Sequence, residues 1–120
     1  MIATKRPLNG NGEPMPITAT SSGTAQTIFV SRAANVGWDE PSIYITNTNT
    51  GSGSGRTFHY DIGGAGFAQV TIPGNTSMYR LLPTGREALP FRGAITIKAY
   101  STGGTGLQVL GVVVEVREDA

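Results

Sequence analysis

The chain has 120 residues, with 9 Lys and Arg, 8 Asp and Glu, one His and no Cys; this length suits a single domain that buries about two-thirds of its unfolded surface. Without cysteine there is no disulfide framework, thiolate zinc site, Fe–S cluster or cysteine nucleophile, and a net charge of +1 gives no general attraction to nucleic acid or membrane. Only 14% of residues are charged while Gly reaches 17, so the surface is expected to consist of hydroxyls and backbone, as in β-sandwiches and in subunits that pack closely on neighbours.

The opening stretch MIATKRPLNGNGEPMP lacks the apolar run of a signal peptide, and no segment approaches the roughly 20 apolar residues of a membrane-spanning helix. Residues 1–15 hold Pro7, Pro14, Asn9, Gly10, Asn11 and Gly12, which break both helix and ladder, so an extended N-terminal arm is expected. It is read either as a frayed terminus or as an arm that orders on a neighbouring subunit. A β-domain then spans 16–117, and 118–120 is a C-terminal tail.

Strands are expected at about 16–20, 25–32 and 42–47, the last with Ile43 and Ile45 on one face and Tyr44 and Thr46 on the other. The loop TNTNTGSGSG (46–55) is flexible by composition and offers nothing apolar to a core. Residues 56–62 place Phe58, Tyr60 and Ile62 opposite Thr57, His59 and Asp61; 67–72 and 76–82 follow, separated by the turn Pro73-Gly74-Asn75. An irregular connection at 83–92 leads to runs at 94–100 and 107–116. The last run reads as Leu110, Val112, Val114 and Val116 on one face with Val109 and Val113 partly filling the other, the pattern of a central or covered strand. A single helical turn is allowed at 33–38 or 86–89. The whole is an all-β fold: one antiparallel sandwich of about eight strands, Greek-key or jelly-roll in topology.

Chemistry-bearing residues are sparse. His59 and Asp61 share a strand face, but a metal needs three or four ligands and there is no second His; a solvent-facing pair is the better reading. No G-x-S-x-G elbow supports a Ser-His-Asp arrangement. Asp39-Glu40 and Glu118-Asp119 are adjacent carboxylates that point apart on an extended chain, and the clusters GSGSG and GGAG lack the Lys-Ser/Thr of a phosphate loop. Arg80, Arg86 and Arg92 flank the irregular connection and read as interface salt bridges rather than a phosphate grip. Trp38 is placed in the loop NVGWDEP, either as a buried anchor or as a stacking platform. Asn75-Thr76-Ser77 fits the glycosylation pattern but has no export signal beside it. No cofactor, metal or catalytic residue is expected, and the chain reads as a non-enzyme.

The segments IYITNTNTG, FHYDIGG, VTIPGNTSMYRLL and LPFRGAITIKAYSTGGTGLQVLGVVVEV resemble the small β-sandwich structural proteins of tailed bacteriophage virions over residues 42–116. The resemblance implies a head decoration or cement protein, a head fibre or a tail accessory subunit. It also implies symmetric homo-oligomers, a location in the virion after synthesis in the host cytoplasm, and the major capsid protein or other virion subunits as partners. On that reading the expected contact residues are Lys5, Arg6, Leu8 and Met15 in the arm and Trp38, Arg86 and Phe91 at the loops. The alternative is a glycan- or receptor-binding module of a fibre or tail that uses Trp38, Tyr44 and the 46–55 loop.

Overall fold

The alternating runs become strands in the computed structural model, which describes residues 2–31, 37–82, 91 and 93–117. The strands are β1 (Ile2–Pro7), β2 (Met15–Pro16), β3 (Gln26–Val30), β4 (Gly37–Asn47), β5 (Arg56–Ile62), β6 (Phe67–Ile72), β7 (Thr76–Leu82), β8 (Thr96–Thr102) and β9 (Leu107–Arg117), with a 3-10 turn at Ser22–Thr24. The first sheet has the order β1-β9-β4-β7, with β2 continuing the row of β1 along β9; the second has the order β3-β8-β5-β6. Every pairing is antiparallel. The chain changes sheet at each connection except β1–β2 and the β5–β6 hairpin, which makes a jelly-roll arrangement of a five-stranded and a four-stranded sheet.

The core lies between the sheets. Ile43 and Ile45 of β4 and Val109 and Val113 of β9 face Phe58, Ile72, Ile97 and Ala99 from the second sheet, all fully buried. A register shift between Thr27 and Phe29 lets the adjacent Ile28 and Phe29 both point inward.

Three sequence expectations change here. Residues 2–7 are extended, yet they form a strand paired along its whole length with Val112–Arg117 rather than an arm apart from the sheet. Pro7 ends that strand, and the row resumes at Met15 opposite Val109. The backbone groups of β9 need partners on both sides, and residues 2–7 are the chain that supplies them. Trp38 lies in β4, not in a loop, because Gly37–Asn47 pairs continuously with Leu107–Arg117. The faces of β9 are also reversed in weight. Leu107, Val109, Val113 and Glu115 point inward, whereas Leu110, Val112 and Val114 turn outward. The helical turns allowed at 33–38 and 86–89 fall mostly outside the described residues, as does the 118–120 tail, while Gly37 and Trp38 are strand.

Candidate functional site

The outer face of the first sheet is built by the parity of β4 and β9. Since Ile43, Ile45, Val109 and Val113 are buried, their neighbours Tyr44, Leu110, Val112 and Val114 emerge on the opposite side. The ladder sets Tyr44 beside Leu110, Ser42 beside Val112, Glu40 beside Val114 and Trp38 beside Val116. Val112 is 44% exposed, and Met78 of the neighbouring β7 is 55% exposed. Val116 is buried although it stands apart from the main core cluster; Trp38 and Ala3 are its cross-strand neighbours. The indole Nε1–H of Trp38 donates to Glu40 Oε2 at 2.6 Å. Around the apolar row stand Lys5, Glu40, Thr46, Arg80 and Gln108, so the face has an apolar centre and a polar border.

On the inner side at the same end of the sheet, the parity that buries Val113 also turns Arg6, Asp39, Glu115 and Arg117 inward. Asp39 is 1% exposed and Glu115 7%. Arg117 donates to Asp39 Oδ1 at 3.3 Å, Glu115 Oε2 at 3.1 Å and the Trp38 carbonyl at 3.1 Å. Arg6 Nε lies 2.5 Å from Glu115 Oε1, and its Nη2 lies 3.9 Å from Asp39 Oδ2. The Arg6 Nε–H is not aimed at a hydrogen-bond acceptor, so its contact with Glu115 is ionic. Among the described residues Arg6 and Arg117 meet Asp39 and Glu115 here, and Phe91 is joined to Asp39 by a pair of backbone hydrogen bonds. The arrangement locks β1, β4 and β9 together.

The expected contact residues therefore separate. Lys5 and Trp38 lie on the outer face; Arg6 is in the ion cluster. Leu8 and Phe91 are buried in the chain's own core, Phe91 with its ring 5.9 Å from that of Phe29, and Met15 packs against the core edge. Arg86 lies outside the described residues, as does Arg92. Trp38 and Tyr44 share a face but stand six residues apart on one strand, about 20 Å, too far to hold a single sugar ring between them.

The 46–55 loop is anchored, against its composition. Asn47 is buried, and its Nδ2 donates to the carbonyls of Ser54 and Ile72, both at 3.0 Å, while its Oδ1 accepts from the backbone N–H of Asn49 at 3.0 Å. Asn49 Nδ2 in turn reaches the Thr105 carbonyl at 2.7 Å, and the Asn49 carbonyl accepts from Asn75 N–H. Three turns are thus tied at one end of the sandwich, beside a polar cleft of about 350 Å³ lined by Thr46, Thr48, Thr76, Ser77 and Gln108 among others.

The second sheet's outer face carries His59 and Asp61, as their spacing requires. His59 stacks on Tyr100 with ring centroids 4.2 Å apart and planes within 4°, and its Nε2 shares a hydrogen bond of 2.9 Å with Thr102 Oγ1. Burial pushes its pKa below the ordinary value. Phe67 meets Tyr100 edge-on at 5.0 Å. Sequence reading paired His59 with Asp61 but missed Tyr100 and Phe67, whose approach depends on β5 lying between β6 and β8. Among the described residues no three His, Cys, Asp or Glu side chains gather as a metal-ligand set.

Compared with known proteins, the chain matches no family model, no curated protein and no solved structure.

Proposed function

We propose that this chain is a non-catalytic structural subunit of a virus particle, a decoration or cement protein that binds neighbouring capsid or other virion subunits and assembles as a homo-oligomer. The observation that carries the reading is the outer face of the first sheet. Val112 is exposed and Leu110, Val114, Tyr44 and Trp38 are half-buried within a border of Lys5, Glu40, Thr46, Arg80 and Gln108, with the exposed Met78 at its edge on β7. An apolar centre inside a polar rim is how protein interfaces are built, and contiguous apolar patches on soluble chains mark contact sites. The jelly roll supports the reading at the level of fold analogy, since viral capsid domains are among the proteins that use it. So does the low charge, which leaves a surface suited to close packing.

The mechanism is additive. Each copy would lay this sheet face on its neighbours, and repetition by particle symmetry would turn modest contacts into avidity. The double variant Val112→Asp with Met78→Glu tests this: circular dichroism and melting stay close to those of the parent, while co-sedimentation with particles stripped of the subunit is lost. Undiminished association of the double variant would overturn the proposal.

A further inference from the structure

Beyond that reading, we propose that the outer face of the second sheet is a binding site for a neutral saccharide ring. Two cross-strand rows build it. Phe67, Asp61 and Lys98 are opposed in one row across β6, β5 and β8; Gln69, His59 and Tyr100 are opposed in the next, on the same face. Aromatic and hydrogen-bonding side chains therefore alternate over a patch two residues deep and three strands wide.

The aromatic part is assembled in advance. Tyr100 is held by His59 on one side and Phe67 on the other, His59 is fixed by Thr102, and Phe67 remains 37% exposed. Rings locked by packing lose little freedom when a ligand arrives, which is what a stacking platform requires. Asp61 and Lys98 stand directly opposite each other, yet no ion pair joins them among the described residues; Asp61 Oδ1 accepts only from the Gly66 N–H, at 3.1 Å. A carboxylate that accepts and an ammonium that donates, side by side with no net charge, match sugar hydroxyls, which do both. The two also line a cleft of about 230 Å³ with Gly63, Gly64, Ala94 and Thr96. That is below the roughly 300–1,000 Å³ of sites for drug-sized ligands and suits a single ring.

Size argues against a second protein as the occupant, because three part-buried rings fall well short of the roughly 800 Å² per partner of a stable protein interface. Charge gives an anionic ligand no advantage, since Asp61 offsets Lys98 across the same cleft. The apolar face of a pyranose would lie on Phe67, which Tyr100 and His59 hold in place from behind, with its hydroxyls over Asp61, Lys98 and Gln69.

The test is a printed array of neutral and sialylated glycans probed with the full chain, followed by titration of the best neutral binder. Expected is retention of glycans ending in a neutral pyranose. Phe67→Ala and Gln69→Ala should each weaken binding, the first by about tenfold, while both variants keep the parent's circular dichroism spectrum and a cooperative melting transition. Val112→Asp should bind the sugar like the parent, which separates this site from the assembly face. Retention of no neutral glycan, retention of sialylated glycans alone, or undiminished binding by Phe67→Ala would each overturn the proposal. So would a self-association that Phe67→Ala abolishes while no sugar binds, since the patch would then serve a second copy.

Discussion

At the scale of single residues, the informative positions are polar ones in buried places. Asn47 has both ends of its amide committed, donating to two carbonyls and accepting from Asn49. Asn47→Asp keeps the shape but removes the donors, leaving the Ser54 and Ile72 carbonyls facing a carboxylate; each buried acceptor so stranded costs about 1–3 kcal/mol. Urea denaturation should show that loss, and a variant as stable as the parent would refute the anchoring role. His59 makes a second prediction, with a definite sign. Burial holds its folded pKa below the value of 6.5 that it has in the open chain, so on acidification the unfolded state takes up the proton first. Its contribution to stability is complete above that value and is lost as pH falls through the window down to the folded pKa. Melting temperature should therefore drop as the pH falls below the open-chain value of 6.5, and drop less in His59→Gln. These roles were only partly legible. Glu115 and Asp39 share the parity of Val113 and Ile43, but the sequence alone places Asp39 in a loop and weights the other row of the last strand, so their burial is not legible there. That Arg6 and Arg117 come to meet them depends on β1 lying beside β9.

At the scale of elements, local pattern was a good guide wherever the strand was bounded by turn residues. β5, β6 and β7 fall at 56–62, 67–72 and 76–82, as their alternation predicts, because Gly63, Gly64 and Pro73-Gly74-Asn75 punctuate them; Asn75 adopts the positive φ of 55° that such a turn asks for. β4 and β1 were misjudged for the opposite reason. Trp38-Asp39-Glu40-Pro41 and Ala3–Pro7 have weak strand character alone and are extended because β9 offers them hydrogen-bonding partners. The β4–β9 pair is close-set at Gly111, where a Cβ would collide with the Ser42 carbonyl oxygen. Gly111→Ala must push the two central strands apart, a change in the range of about 1–3 kcal/mol for overpacking. Equilibrium unfolding measures it, and an unchanged midpoint would show that the strands can yield there.

At the scale of the whole molecule, β9 is the hub. It pairs with β1, β2 and β4, joining the two ends of the chain to its middle. A chain lacking 107–117 loses the centre of the first sheet and should show no cooperative melting transition by circular dichroism; a sharp transition would mean that the remaining strands form a domain of their own. Long-range pairings of this kind form late and slowly compared with local ones. The same hub exposes its second aliphatic face, the basis of the proposed assembly role.

A cysteine-free, all-β sandwich with a valine-rich central strand near its end can be read from the residues alone. Alternation, turn chemistry and composition are local properties, and each residue carries its own share of them. Which face of that strand is core follows from long-range pairing, because Leu110, Val112 and Val114 are as apolar as Val109 and Val113. The choice is made by register: Ile45 beside Val109 and Pro41 beside Val113 put one row over the second sheet, and the other is left to face outward.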